Sequence, residues 1–308
     1  MKYSLLPILL LVASAAASAQ QLPDTAFIPE IDNPSYPAGN GPVIMIDEAH
    51  NNFHTMGDRY FVFAELFCRD GYRVQPGTGL FTESLLKTAD VLVISNAIHE
   101  SNIDNWSLPT PSAFTTEEIA AVKRWVENGG SLFLIADHMP FPGAAQDLAS
   151  ALGFDFVNGY AIDVLHEGPA VFSRAAGTLG KHHITDGYTP NESIDSVASF
   201  TGSAFEAKIP CTPVLTLDSG FVMYMTETAM EFDDSTKTSD AEGLLQGAVA
   251  EIGNGRVAVF GEAAMFTAQI AMLENGEQFS FGMSRPVASQ NLPFLRNIMR
   301  WLSRWNEE

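Results

Sequence analysis

Basic residues are scarce in this 308-residue chain. Its 16 Lys and Arg stand against 37 Asp and Glu, for a formal net charge of −21. Nucleic acid and anionic lipid both need a basic surface to meet phosphate, so neither is an expected partner. The acids are spread without a long run and read as solvated surface. Cysteine is nearly absent, with only Cys68 and Cys211. The pair leaves two readings open, a disulfide in an oxidising compartment or two buried thiols. Cys68 falls inside a predicted helix and Cys211 between Pro210 and Thr212, so thiol catalysis is not expected. No Gly-x-Ser-x-Gly elbow, phosphate-binding loop, dinucleotide fingerprint or internal repeat occurs.

The residues that are present make a globular chain. Hydrophobic residues are 46% of it and charged ones 17%, enough apolar mass for a core. Residues 1–19 read as a secretory signal, with Lys2 as the positive end, Leu5 to Ala13 as the apolar stretch and Ala17-Ser18-Ala19 as the cleavage site. The mature chain is expected to start at Gln20. The apolar stretch is too short to span a membrane, and no Cys follows it to carry a lipid anchor. A soluble periplasmic or secreted protein is therefore expected.

Residues 20–41 are rich in Pro, Asn, Asp and Gly and read as an extended leader. Strands and helices then alternate. Pro42–Asp47, Tyr72–Val74, Ala89–Ser95, Ser131–Ala136 and Phe154–Phe156 suit strands. Arg59–Gly71, Thr82–Thr88, Thr115–Asn128 and Pro142–Gly153 suit helices, two of them stopped by Gly71 and by Gly129-Gly130. Such alternation predicts crossover units and a mainly parallel sheet. Later, Val214–Leu217, Phe221–Met225 and Leu245–Ile252 look strand-like with no helix between them. Gly253-Asn254-Gly255 supplies a hairpin turn into Arg256–Gly261, so an antiparallel extension is expected near the C-terminus. Residues 226–242, with six acids and one Lys, read as a mobile loop. Phe294–Trp305 closes the chain as an amphipathic helix.

Ligands of open parallel sheets bind beyond the carboxyl ends of the strands. Asp47, His50, Asn51 and His54 follow the first predicted strand. Asn96 and His99 follow the third, Asp137-His138 the fourth, and Glu262 the strand ending at Phe260. Four of the seven histidines thus fall just past strand ends beside carboxylates. Imidazole oriented by a carboxylate serves as a general acid or base. Alternatively, two or three His with a carboxylate hold a divalent metal, for which His50, His54, Asp137 and His138 are the candidates. His50 and His54 lack the glutamate of the zinc-protease helix motif. Asp47, His50, Asp137 and His138 are the catalytic candidates. Asn51, His54, Arg59, Asn96, His183 and Glu262 are the candidates for holding a substrate. Phe53, Tyr60, Phe141 and Tyr160 read as core or as lining.

Asp47–Thr55, Arg59-Tyr60, Asp70-Gly71-Tyr72 and Ala136–Phe141 together resemble an uncharacterised family of exported bacterial proteins in the class I glutamine-amidotransferase-like superfamily. His183-Ile-Thr-Asp-Gly187 with Ser199–Gly202 is similar to an element of ThuA-like proteins, with His183 replacing the usual Pro. Gly255–Glu262 with Asn291, Phe294, Asn297 and Trp301-Leu302 resembles the closing strand and helix of GldG-like domains. The resemblance spans roughly residues 42–305. It implies an α/β three-layer flavodoxin-like sandwich in one domain. True glutamine amidotransferases carry Cys on the strand-to-helix elbow, where this chain has Asp137-His138, which argues against a glutaminase reaction. Two functions are expected of such a chain. One is a hydrolytic, metal-assisted site acting on a small molecule or glycan. The other is a non-catalytic envelope module that binds a ligand or a protein partner.

Overall fold

The computed structural model describes residues 20–272 and 276–307. The predicted signal segment 1–19 lies outside them. Five parallel strands form the centre: β1 (Val43–Asp47), β2 (Arg73–Gly77), β3 (Val91–Ser95), β4 (Ser131–Ile135) and, from much later in the chain, Gly255–Phe260. Between them run helices α1 (Phe61–Arg69) and α2 (Thr116–Glu127), and after β4 comes α3 (Phe141–Ala151). Strands β5 (Phe154–Val157), β6 (Ala204–Ala207), β7 (Thr212–Thr216) and β8 (Leu245–Ile252) follow, then β9 (Gly255–Phe260) and the final helix α4 (Asn291–Leu302). The nine-stranded sheet runs β2-β1-β3-β4-β9-β8-β6-β5, with β7 also paired to β8.

The fold matches the expected α/β sandwich, and the sequence explains why. Residues on alternating sides of each central strand enter two different cores. Val91 and Val93 face α1 and α4, while Leu92 and Ile94 face α2 and α3. Both faces are covered, so these strands are apolar throughout, as a buried parallel sheet requires. Thr115 and Glu118 form a reciprocal capping box that starts α2. Gly253-Asn254 turns β8 into β9, whose pairing begins at Ile252 and Gly255. Phe133, Phe260 and Phe266 pack edge-on to one another beneath α4, whose Phe294 meets Phe260 edge-on and stacks on Phe266. Each such buried ring contributes about 1.5–3 kcal/mol.

Three local readings change. Phe154–Val157 reads as the next crossover strand but lies antiparallel at the far edge, because β9 occupies the place beside β4. Residues 226–242 are not wholly loop, since Lys237–Asp240 pairs with Phe221–Met225 as a hairpin. The leader-like segment is fastened to the body. Gln20–Pro23 pairs with Ala268–Met272. The buried Asp70 carboxylate accepts hydrogen bonds from Ser35 N, Ser35 Oγ and Arg296 Nη2 at 2.7–2.8 Å. Gly71, at φ +92°, passes so close that a Cβ there would lie 2.1 Å from the Tyr36 carbonyl oxygen. Cys68 and Cys211 are free thiols.

Asp70→Asn weakens all three of these carboxylate bonds. It should lower unfolding free energy by about 1.5–3 kcal/mol in urea, the range for hydrogen bonds to a charged group. A change inside error would mean the strap is not held by Asp70.

Candidate functional site

Strands β1, β3, β4 and β9 run parallel, with Ser95, Ile135 and Phe260 aligned at the ends of the last three. The residues just beyond them share one rim. The structure sorts the candidates there into two separate units. Among the described residues, no hydrogen bond or ion pair joins Asp47 or His50 to Asp137 or His138.

The first unit is a locked ion triad. His50 Nδ1 lies 2.9 Å from both Asp47 carboxylate oxygens, and Nε2 lies 2.9 Å from Glu118 Oε1. All three side chains are buried. Carboxylates only accept, so both ring nitrogens donate and the ring is an imidazolium. Burial pushes its pKa down, but the hydrogen bonds and charges of Asp47 and then Glu118 outweigh that, and the net shift is upward. Glu118 is lowered. Its burial is outweighed by hydrogen bonds from Thr115, His50 and Phe81 N. The rings of Phe81 and Phe114 enclose His50 at 4.5 and 4.7 Å. No nitrogen lone pair is left for proton abstraction or metal ligation. Asp47 and His50, expected as catalytic, thus wire β1 to the start of α2.

The second unit sits past β4 and β9. His138 Nδ1 lies 2.8 Å from the Met139 carbonyl oxygen, which can only accept, so Nδ1 carries the proton. In the neutral form of the ring the lone pair then sits on Nε2, and no hydrogen bond occupies that atom among the described residues. The ring stacks on Tyr160, 4.7 Å between centroids and 12° from parallel. Asp137 Oδ1 accepts His138 N at 2.7 Å. Glu262, fully buried, accepts Ala264 N and Met265 N at 2.8 and 2.7 Å. Burial raises the Glu262 pKa well above the usual range, and the Asp137 charge adds to it. Burial also raises Asp137, against the opposing influence of His138 and backbone N–H groups. Two carboxyls so coupled resist double ionisation, so the pair holds a proton more tightly than a free carboxyl does.

His54 joins this unit. Burial holds its pKa well below the usual value, and the charges of Arg59 and His138 reinforce that. Gln269 Nε2 donates to its Nε2 at 3.0 Å, which leaves Nδ1–H buried without a partner. Asn96, at φ +51°, accepts Asp137 N on Oδ1 and Phe53 N on its carbonyl. It positions both loops. Arg59 lies 3.9 Å over the Phe53 ring and is paired with Asp58 at 2.6 Å. Asn51, exposed at φ +49°, donates to the Ile98 carbonyl. His183 does not come to the rim. It is exposed beside His182, whose ring meets Trp301 near the amino end of the sheet, where Ser131 Oγ donates to the Leu302 carbonyl. Among the described residues, no three His, Cys, Asp or Glu converge on a point that would hold a metal ion.

Several members escape a reading of the sequence. Glu118 is visible as a cap residue, but its second oxygen reaches His50 across 68 residues. Trp106 and Gln269 carry no local signal at all. A cavity of about 270 Å³, lined by Lys87, Asp90, Trp125, Gly130 and Arg304 among others, opens at the amino end of the strands. It contains none of these groups. Chemistry therefore places the candidate site at the rim, where Asp137, His138, His54 and Glu262 are each 8% exposed or less.

No family model and no curated protein matches the chain. Solved structures do. The chain shares its fold with the mmIFT52 N-terminal domain. That match has a TM-score of 0.59 at 13% identity and covers 84% of this chain and 97% of the other. A ThuA-like protein from Bacteroides uniformis aligns with a TM-score of 0.47 at 13% identity, over 89% of this chain and 94% of its own. A GMP synthase-like protein from Thermoplasma acidophilum gives 0.39 at 12% identity, over 87% and 97%. The first of these matches shows a shared α/β fold.

Proposed function

We propose that this chain is an exported acid–base protein of hydrolytic type, acting on a small molecule or glycan at the rim of β4 and β9. One observation carries the reading. His138 has Nδ1 tied to a carbonyl and its Nε2 unclaimed among the described residues, next to a carboxyl pair that burial pushes toward the protonated form. An unclaimed imidazole nitrogen beside a carboxyl that holds its proton tightly supplies the base and the acid that general acid–base catalysis requires. His138 would take a proton from water or a hydroxyl, and the protonated carboxyl would give one to the leaving group. Among the described residues no three-ligand metal set forms, and the reading assigns the proton transfers to the side chains alone. Placement in the ThuA-like or GldG-like branch belongs to the same proposal, and export rests on residues 1–19. Amino-terminal sequencing of protein recovered outside the cytoplasm should begin at Gln20.

Burial favours a second reading. A cluster sealed to this degree also suits a binding module of the envelope whose polar interior only sets loop shape. Turnover on a panel of chromogenic esters and glycosides separates the two. The enzyme reading expects activity that His138→Gln removes without a change in melting temperature. Activity that survives in that variant would overturn it.

A further inference from the structure

Two chain segments, one packed on His138 and one on the Tyr160 ring stacked against it, hold each other. The first is residues 103–110, leading out of the turn after β3. The second is 226–236, the tip of the Phe221–Met225/Lys237–Asp240 hairpin. Leu108 N donates to the Glu227 carbonyl and Ala229 N to that of Trp106, each at 2.8 Å. Ser107 and Thr228 form an antiparallel bridge, with Ser107 Oγ 3.1 Å from Thr228 Oγ1. The hairpin tip reaches the body at Tyr160. Met230, at φ +63°, donates its N–H to Tyr160 Oη at 3.0 Å, and Phe232 packs on the same ring. Trp106 completes the cover over His138, Phe141 and Phe53.

The two flaps differ in build. Asn102 Nδ2 donates to the Asn105, Ser107 and Pro109 carbonyls, which braces the first flap internally. The second is held at its ends by hairpin pairing, and its crossing depends on a handful of polar contacts. Such a segment opens more readily than the strands beneath it. The interior it covers is unsatisfied. His54 Nδ1 and Arg59 Nε, around the Phe53 ring that Trp106 covers, and Thr226 Oγ1, where the second flap begins, are buried without a hydrogen-bond partner among the described residues. Unpaired buried polar atoms are costly and rare, and a guest that hydrogen-bonds would satisfy them.

We propose that these flaps are a gate whose parting at the Ser107–Thr228 seam admits ligand to His138. The proposal rests on the rim being the functional site, and it makes access, rather than chemistry, the controlled step. Ser107→Cys with Thr228→Cys, in a Cys68→Ser, Cys211→Ser background, places two thiols at the seam where a disulfide locks the gate. Diethyl pyrocarbonate, which acylates an accessible neutral imidazole nitrogen, is the probe, and peptide mass spectrometry reads each histidine. Oxidation should slow labelling of His138 by about tenfold or more, and reduction should restore it. The exposed His166 should label equally in both states. Equal rates at His138, or no labelling of it in either state, would overturn the gate. Should the double variant not fold, hydrogen exchange on the natural chain decides. The Leu108 and Ala229 amides should exchange far faster than Leu92 in β3, and equal protection would overturn the proposal. Gated labelling without turnover on any substrate would leave the gate standing and remove the hydrolytic reading. Ungated labelling with turnover lost in His138→Gln would do the reverse.

Discussion

His50→Ala should lower the free energy of unfolding by about 3–5 kcal/mol, the usual result when one partner of a buried ion pair is removed. Asp47 and Glu118 are almost wholly buried, and the imidazolium is the cation between them. Alanine leaves two buried carboxylates without it and opens a void against Phe81 and Phe114. The pH dependence follows from the two shifts. His50 has a raised pKa in the folded state. Its stabilisation is complete below the unfolded histidine value of about 6.5 and is lost as pH rises through the folded one. Glu118 has a lowered pKa, so its share is present above about 4.5 and is lost as pH falls through the folded value. The melting-temperature gap between the natural chain and His50→Gln should therefore be widest in mildly acidic solution and shrink toward alkaline pH. A gap that stays flat with pH would mean the ring is neutral in the fold.

His138→Gln should reduce turnover by about 10²–10⁴-fold, the usual range for loss of a positioned acid or base. Stability should change little, because the ring's one polar bond is to the neighbouring Met139 carbonyl and glutamine retains a donor. The raised Glu262 carboxyl makes a second, separable contribution. An acid works only while protonated, so activity should fall as pH rises through its elevated value. Glu262→Gln keeps the shape and removes that alkaline limb. A pH–rate profile with the limb intact in the variant would place the acid elsewhere. The contrast between His50 and His138 is itself diagnostic, since one substitution should cost folding and the other chemistry.

Both histidines look alike in the sequence. Each follows a strand end beside an aspartate, in Asp47-Glu-Ala-His50 and in Asp137-His138. The order of strands and helices was legible because its causes are local. Apolar alternation, the Thr115–Glu118 capping box and the Gly253-Asn254 turn act within a few residues. The polar rim was legible too, because parallel strands put all their carboxyl ends on one side. Strand placement beyond β4 was not, since it depends on which distant strand claims the edge.

What the sequence by itself determined is the fold class and a rim carrying imidazole and carboxylate. Which imidazole keeps a free nitrogen was decided only in three dimensions. The second nitrogen of His50 carries a proton that it donates to Glu118, 68 residues away on α2, whereas the Nδ1 proton of His138 is settled by the next residue and, among the described residues, nothing from afar reaches Nε2. A ring nitrogen's chemistry is set by its hydrogen-bond partner. For a buried side chain, that partner is chosen by packing between elements far apart in the chain.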